Sequence, residues 1–341
     1  MQEILTPEEL WAAVRRQSRH ALDSGALVPI STSVHVLEEQ SLRFAVRRVE
    51  RIDRKEEAAP SQQNPSDPFA PPYEQDLYVG EISDTHVGLL NKFNVLDDHL
   101  LLVTREYAPQ TELPGEADFR AMLRAMAGTE SLAFYNGGAL AGASQPHKHL
   151  QVVPLPLADE VPAMPFAPFF ESAAKGGGPA RSRELPFTHA VAPMPAGWAE
   201  QPDETAATVQ DLHDRLWREL GYSLTTREQP VPYNLLATSD WLWLVPRSRE
   251  EHQGIAVNAL GFAGALLVRD AAMQDLLEEL GPLEERFREL TGREEEPEPS
   301  RLEKLQADLE ELEERAEGEA QTAIANARER IRQYRSGDAA E

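Results

Sequence analysis

The 341-residue chain is 41% hydrophobic, which is enough to bury a substantial core, and its length fits one large or two ordinary domains. Its 58 acidic and 33 basic residues give a formal charge of -25, which opposes binding to nucleic acid or to an anionic membrane. Cysteine is absent, which excludes disulfides and cysteine-based zinc sites. Because it has no long apolar run and no signal-peptide pattern at its start, we expect no membrane span and a cytoplasmic location.

The first predicted element is a helix from about Pro7 to Leu22, because a capping box with proline at the first helical position precedes it. A half-buried strand is predicted where apolar and polar residues alternate from Leu42 to Arg47. The stretch from Pro60 to Pro72 carries five prolines and is predicted to be a loop. We expect the segment from Asn64 to Phe69 to anchor it.

Beyond this loop, strands and helices follow one another without strict alternation, which favours an α+β fold over a doubly wound one. Helices are predicted at Glu116 to Ala127 and Glu204 to Leu220. Strands are predicted at Leu77 to Ile82, Val87 to Leu90, His99 to Thr104, Leu132 to Tyr135, Phe187 to Ala192, Tyr233 to Ala237, Trp241 to Val245, Ile255 to Asn258 and Ala265 to Val268. A Pro-rich and Gly-rich stretch at 154–179 separates two halves, residues 1–180 and 181–293.

Residues 294–341 form a third region with a different composition. After an acidic linker and a second capping box, apolar residues recur every three or four positions at Leu302, Leu305, Leu309, Leu312 and Ala316. This pattern predicts a long acidic helix. Two interpretations remain open: a solvated helix packed on its own domain, or a helix for self-association or partner binding.

The most informative stretch of the chain contains His147, His149 and Gln151. If it is extended, their spacing places all three side chains on one face. Two histidines on one face are compatible with a metal site, a catalytic pair or plain polar surface. The other histidines form no ligand-spaced cluster, so we expect no metal site.

Hydrogen-bond donors precede these histidines. Asn136, with its neighbours Gly137 and Gly138, and the turn from Gly142 to Gln145 supply amides, a hydroxyl and carboxamides, which suit phosphate oxygens. A neutral imidazole can attack phosphorus directly and form a phosphoramidate. Its other ring nitrogen must then be held by an acceptor.

Further blocks accompany the motif in the order Leu89 to Val95, His99 to Thr104, Phe134 to Gly138, Phe187 to Ala190, Pro232 to Leu236, Trp241 to Ser248 and Asn258 to Gly264. With them the chain resembles the diadenosine tetraphosphate phosphorylases, also called ATP adenylyltransferases, of the histidine triad superfamily. The resemblance spans roughly residues 42–270. It implies a histidine-triad-like, mainly antiparallel mixed sheet flanked by helices, in two related halves, with a C-terminal helical extension. The motif would lie in the first half, and the second would complete the nucleotide site.

The resemblance also implies a reaction, in which diadenosine tetraphosphate and phosphate give ATP and ADP through an adenylyl-histidine intermediate. It assigns the nucleophile to His149, a supporting role to His147 and a phosphate contact to Gln151. Because a carboxamide cannot titrate, transfer to phosphate is favoured over hydrolysis. No cofactor is implied, and Mg²⁺ is expected only as a companion of the polyphosphate.

The substrate-binding positions that the resemblance implies are Lys55, Asn91, Lys92, Asn136, Gly142, Ala143, Ser144, Gln145, Gln151, Asn258, Ala259, Leu260 and Arg269. Arg269 stands where the family commonly has lysine, so a planar fork replaces a point charge. One alternative is a hexose-1-phosphate uridylyltransferase, although Lys148 stands where that group has proline. Another is a dinucleotide sensor without catalysis.

Overall fold

The computed structural model describes residues 3–39, 42–50, 67–280 and 286–292. The chain divides into two compact units, Met1–Gly292 and Arg293–Glu341. Lys55 and the predicted tail helix lie outside the described residues, so the expectations for both stay predictions.

The described helices are α1 (Pro7–Ser24), α2 (Glu116–Ala127), α3 (Ala167–Ala173), α4 (Pro202–Glu219), α5 (Ala271–Leu280) and α6 (Arg288–Thr291). The strands are β1 (Thr32–Glu39), β2 (Leu42–Val49), β3 (Tyr78–Glu81), β4 (His86–Leu90), β5 (Leu100–Thr104), β6 (Ser131–Gly137), β7 (His149–Pro154), β8 (Ala190–Pro193), β9 (Tyr233–Ala237), β10 (Trp241–Pro246), β11 (Glu251–His252), β12 (Ile255–Ala256) and β13 (Ala265–Val268). Two short 3-10 helices, Ala139–Ala141 and Ala259–Ala263, flank the site described below.

The main sheet has the strand order β3-β4-β5-β7-β6-β9-β10-β8, and its neighbouring strands are antiparallel. A smaller sheet has the order β1-β2-β13, in which β13 runs parallel to β2. A mixed, mainly antiparallel sheet flanked by helices was predicted, and the structure confirms it.

Two similar units build the main sheet, β5-α2-β6-β7 and β8-α4-β9-β10. They meet where β6 pairs with β9, and α2 packs against α4. A Tyr-Asn pair occurs in both central strands, and Asn136 is the register partner of Asn234. An approximate twofold axis therefore passes between these two asparagines, as expected for two related halves.

Apolar side chains fill both faces of the main sheet. On one face α1, α2 and α4 cover the strands, and the Trp11 indole N–H donates to the Ala125 carbonyl at 2.7 Å. On the other face lies a cluster rich in phenylalanine, which includes Phe44, Phe166 and Phe187. Strand β7 runs between these cores, so its backbone is fixed from both sides.

Most predicted elements agree with the structure, and the differences have local causes. The predicted strand from Phe187 begins only at Ala190, because the Phe187 carbonyl accepts a hydrogen bond from the His189 ring. The strand from Ile255 ends at Ala256, since Asn258 instead caps a 3-10 helix through its hydrogen bond from the Leu260 amide.

The sequence patterns did not predict β1, α3 or α5. Strand β1 pairs with β2 alone, and its residues are mostly half-buried, so its two faces differ little in polarity. Helix α3 spans only 7 residues inside the Pro-rich and Gly-rich stretch. Helix α5 does have a helical spacing of apolar residues that the sequence analysis did not use: Met273, Leu276 and Leu277 recur every three or four positions and pack against the core.

Candidate active site

His149 is the first residue of β7 and is only 3% exposed. Its ring Nδ1 lies 2.8 Å from the backbone carbonyl of His147. A carbonyl oxygen can only accept a hydrogen bond, so Nδ1 carries the proton. The lone pair of the neutral ring is then on Nε2, which is the atom that could attack phosphorus.

Burial also fixes the charge of His149. Its pKa is lowered to about 4, chiefly by desolvation; the hydrogen bond to the His147 carbonyl opposes this shift, and the nearby His147 ring adds to it. The ring is therefore neutral at pH 7. A neutral ring with a known tautomer is the state that nucleophilic attack requires.

His147 lies just outside the β7 ladder, where it makes an isolated bridge with Pro109. Its Nδ1 is 2.6 Å from Asp67 Oδ2, and its Nε2 is 2.8 Å from the Thr104 carbonyl. Both ring nitrogens thus face acceptors. The rings of His147 and His149 lie 6.1 Å and 4.9 Å from the Phe69 ring, so the two histidines share one side, as their spacing predicted.

Gln151 is oriented by a second buried histidine. His99 is neutral because burial lowers its pKa to about 4, and its Nε2 lies 2.9 Å from Gln151 Oε1. The other ring nitrogen of His99 is 3.2 Å from the Asn91 carboxamide nitrogen, which can only donate. His99 Nε2 therefore donates to the Gln151 oxygen. This leaves the NH₂ end of Gln151 to contact a ligand.

Asn136 is oriented in the same way from the second half of the chain. Its Oδ1 accepts hydrogen bonds from Asn234 Nδ2 at 2.9 Å and from the Ala259 amide at 3.2 Å. Asn234 is in turn held by the buried Arg247, which donates to its Oδ1 at 2.8 Å and to the Val257 carbonyl at 2.6 Å. The NH₂ end of Asn136, like that of Gln151, is the end left for a ligand.

The turn that begins at Gly142 packs closely on the second half. Gly142 has a φ of 90°, and a Cβ there would lie 2.7 Å from the Asn258 Cβ, so both conformation and space require glycine. Asn258 Oδ1 accepts from the Leu260 amide. The structure thus brings Asn136, Gly142, Asn258 and Ala259 together, with Ala143 to Gln145 partly or fully exposed beside them.

Within the described residues, the side chains of the predicted cationic positions make no hydrogen bond to this cluster. Lys92 is 40% exposed, and its Nζ is 3.0 Å from both carboxylate oxygens of Glu74. A polyphosphate would have to compete with Glu74 for this lysine. Arg269 is exposed just after β13, and it makes no hydrogen bond or ion pair within the described residues. Lys55 lies outside them.

Gln110 is a residue of this site that the sequence analysis missed. Its Oε1 accepts from the His149 amide at 2.8 Å, and its Nε2 donates to the carbonyls of Asn136 and His149 at 3.0 and 3.1 Å. The side chain joins β6 and β7 beyond the end of their ladder. A single glutamine in a loop carries no sequence signal for such a role.

Lys148 points to the opposite side of β7 from the two histidines. Its buried ammonium lies 2.8 Å from Asp118 Oδ2 and 3.2 Å from Glu112 Oε1. Burial acts to raise the pKa of Asp118, but its hydrogen bond with His86 and the Lys148 charge outweigh burial and lower the pKa to about 2. The carboxylates of Asp118 and Glu112 thus balance the charge of the Lys148 ammonium, and the network supports β7 on the side opposite the two histidines.

Within residues 3–39, 42–50, 67–280 and 286–292, no group of three or more histidines and carboxylates is arranged to hold a metal ion. In the same part of the chain, the structure has no helix long and apolar enough to cross a membrane.

Residues 1–172 match the Ap4A phosphorylase N-terminal domain, and residues 183–291 match the ATP adenylyltransferase C-terminal domain. The chain belongs to the Ap4A phosphorylase family. Residues 267–337 also match a family of unknown function. The predicted enzyme class, a nucleotidyltransferase of the ATP adenylyltransferase family, is confirmed.

Two proteins of Saccharomyces cerevisiae are similar in sequence. Protein APA1 is 26% identical over 290 residues, which cover 77% of this chain and 88% of that protein. Diadenosine 5',5'''-P1,P4-tetraphosphate phosphorylase 2 is 28% identical over 232 residues, which cover 60% of this chain and 69% of that protein.

The crystal structure of yeast Ap4A phosphorylase Apa2 in complex with Ap4A has a TM-score of 0.69 and 23% sequence identity to this chain, covering 85% of this chain and 98% of Apa2. The complex of Apa2 with AMP has a TM-score of 0.65 and 24% identity, covering 82% of this chain and 93% of Apa2. These similarities confirm the predicted histidine-triad-like fold. Since both enzyme-family matches specify adenylyl chemistry, the uridylyltransferase alternative is not favoured.

Proposed function

We propose that this protein cleaves diadenosine tetraphosphate with inorganic phosphate to give ATP and ADP, with His149 as the nucleophile. The observation that carries the proposal is the state of the His149 ring. It is neutral, its proton is fixed on Nδ1, and no hydrogen bond from the described residues engages Nε2. The names of the yeast relatives supply the substrate class.

The first step transfers an adenylyl group to the enzyme. Nε2 of His149 forms a bond to a terminal phosphorus of the tetraphosphate, the bond to the next bridging oxygen breaks, and ATP leaves. In the second step an oxygen of inorganic phosphate attacks the same phosphorus. The bond to Nε2 breaks, ADP leaves and the neutral ring is restored.

Two carboxamides would bind the phosphoryl group during both steps. Gln151 and Asn136 each have their oxygen held from behind, so each directs an NH₂ group to a ligand. Because these donors are fixed before substrate binds, they need no reorganisation as charge develops in the transition state. His99 and Asn234 thus prepare the site from opposite halves of the chain.

The chemistry of the proposed site would favour phosphate over water as the second nucleophile. ATP is a good leaving group and needs no proton, and inorganic phosphate already carries negative charge as a nucleophile. Water would have to lose a proton to a base. Gln151 cannot accept one, and an apolar patch of Phe69, Val87, Leu89, Leu101 and Val103 adjoins the His149 side of the sheet.

We also propose that Mg²⁺ reaches the enzyme as a complex with the tetraphosphate. Hard divalent cations prefer oxygen ligands, and the four phosphates provide them. A chain of formal charge -25 would bind a partly neutralised substrate with less repulsion. Titrating MgCl₂ against phosphorolysis rates at fixed diadenosine tetraphosphate tests this. An activity that is unchanged in excess chelator contradicts it.

A product assay tests the main proposal. Purified protein is incubated with diadenosine tetraphosphate, with and without phosphate, and the nucleotides are separated. We expect phosphate-dependent ATP and ADP in equal amounts, and one equivalent of ATP per active site when phosphate is omitted. Two ADP per substrate would contradict the mechanism. Tight binding of the dinucleotide without any turnover would instead support the sensor alternative.

A UDP-hexose assay under the same conditions distinguishes the remaining enzyme alternative. Transfer of a uridylyl group to a sugar phosphate at a rate above that of phosphorolysis would favour the uridylyltransferase reading.

A further inference from the structure

A carboxylate in the Pro-rich loop reaches the histidine motif. Asp67 Oδ2 lies 2.6 Å from His147 Nδ1, and Asp67 Oδ1 accepts a hydrogen bond from the Phe69 amide at 2.9 Å. The Asp67 side chain is 27% exposed, whereas that of His147 is 1% exposed. The two oxygens of one carboxylate therefore hold two different groups, each of which contacts His149.

The first route to His149 passes through the backbone of His147. Strand β7 begins only at His149, so an isolated bridge and side-chain contacts, rather than a ladder, hold His147. Its ring is fixed between Asp67 and the Thr104 carbonyl. Its own carbonyl accepts the Nδ1 proton of His149. Releasing the His147 ring would thus free the acceptor that sets the His149 tautomer.

The second route passes through Phe69. The hydrogen bond from its amide to Asp67 sets the turn that places the aromatic ring 4.9 Å from the His149 ring, in an edge-to-face arrangement. Phe69 is 9% exposed and packs with the apolar patch beside His149. It therefore covers one side of the imidazole and limits its rotation.

We propose that Asp67 is a positioning residue for the nucleophile, acting through His147 and Phe69 to hold the His149 ring with Nε2 directed to substrate. The role rests on the function proposed above. Asp67 need not touch the dinucleotide, because its effect on the reaction is carried entirely by these two neighbours.

Substitutions at Asp67 separate its charge from its hydrogen bonds. Asp67→Ala removes both contacts, and Asp67→Asn keeps an oxygen acceptor but loses the charge. We expect the ATP burst without phosphate to slow about 10–100-fold in Asp67→Ala, by analogy with the loss of a hydrogen-bonded partner behind a metal-binding histidine. Asp67→Asn should lose less. KM should change little in both.

The matched control is Asp76→Asn. Asp76 makes a comparable pair with His20 of α1 at 3.0 Å, but the Asp76 and His20 side chains are 44% and 58% exposed. This variant should keep the wild-type burst rate and thermal midpoint. If Asp67→Ala does not fold, Asp67→Asn and Phe69→Leu carry the test, since each disturbs one of the contacts and leaves most of the packing intact.

NMR spectroscopy can determine the tautomer of His149 directly, without any turnover of substrate. In protein labelled with ¹⁵N-histidine, with the His149 signals assigned by comparison with His149→Gln, the wild type should show a protonated Nδ1 and an unprotonated Nε2. Asp67→Ala should show a mixture of tautomers and lose the downfield proton of the Asp67-His147 hydrogen bond.

The outcomes distinguish this inference from the proposed function. If the wild type gives no ATP burst, the proposed function fails, and the spectra alone decide whether Asp67 sets the tautomer. If the wild type gives a burst and the folded Asp67 variants match it in rate, the positioning role is overturned. It is also overturned if their rates fall only in proportion to folded protein and the His149 tautomer is unchanged.

Discussion

His149 and His189 are two buried histidines with the same backbone contact and different surroundings. In each ring Nδ1 lies 2.8 Å from the carbonyl two residues earlier. His149 is the first residue of β7, and His189 directly precedes β8. The Nε2 atoms differ. That of His189 accepts the Ser182 amide at 3.0 Å, whereas no hydrogen bond of the described residues engages that of His149.

The difference shows that the backbone contact selects a tautomer but does not make a nucleophile. The Nε2 lone pair of His189 accepts a hydrogen bond from the nearby Ser182 amide, and the ring packs between Phe170 and Phe187. His149 shares β7 with the oriented carboxamide of Gln151, and the oriented carboxamide of Asn136 is on the neighbouring β6. Chemical availability of Nε2, set by tertiary contacts, separates the structural histidine from the candidate catalytic one.

The largest difference is expected when each of the two histidines is substituted separately. His149→Ala should lower phosphorolysis by about 10⁴-fold or more, as loss of a nucleophile does in other covalent mechanisms. In His189→Gln the carboxamide oxygen can still accept the Ser182 amide, but the ring contacts with Phe170 and Phe187 are lost. This variant should therefore have a lower thermal midpoint but keep its activity per folded molecule. Rates normalised by circular dichroism check both. Comparable losses in the two variants would break the distinction.

Acid should reveal the buried state of His149. With its pKa lowered to about 4, the folded ring stays neutral through the range where an ordinary histidine is protonated. We therefore expect the ATP burst to hold its rate from pH 7 to about 5 and to fall as the pH drops through about 4. The unfolded chain binds a proton that the native ring does not, so stability should fall between pH 6.5 and 4. A rate loss centred at pH 6.5 in folded enzyme would contradict this.

Changing Gln151 should alter the fate of the intermediate. Gln151→His places a titratable ring beside the captured nucleotide, and hydrolysis to AMP without phosphate should rise by about 10²-fold, the lower range for general acid-base catalysis. Gln151→Leu is the control, since it removes the phosphate contact without adding a base and should slow both steps. Equal AMP release in the two variants would show that Gln151 does not protect the intermediate.

Gln110 tests whether the backbone of His149 also matters. Gln110→Ala removes three hydrogen bonds and leaves buried groups unpaired, so the free energy of unfolding should fall by about 1–3 kcal/mol. The burst should slow as well. Gln229→Ala is a control, because Gln229 contacts the Gly137 carbonyl and not His149. If both variants lose stability alike and the burst is unchanged, Gln110 is structural only.

The smallest effect is expected from the acidic tail. Removal of Glu294 to Glu341 should leave kcat and KM of phosphorolysis unchanged, because the predicted catalytic groups all precede it. Light scattering of the full and shortened chains measures mass in solution. Fewer chains per particle in the shortened protein would support self-association through the predicted helix, and an unchanged number of chains would support packing or partner binding. A strong loss of activity would place the tail in the site.

The sequence by itself determined the local elements and the central motif. The bounds of α2, β9 and β13 agree with their predicted ranges, because periodicity and caps are local properties. The spacing of His147, His149 and Gln151 indicated a shared side, and the family resemblance nominated His149 as the nucleophile. The order of the family blocks then specified the fold and the reaction class.

Only the tertiary structure decided which distant residues prepare the motif. Asp67, His99, Gln110 and Asn234 reach it from separate segments, over 39 to 98 residues of chain. These contacts depend on strand register and on the path of loops, which single residues in a sequence do not encode. The charge of His149 has the same origin, because burial against Phe69 and its neighbours lowers the pKa that the motif alone leaves at its ordinary value.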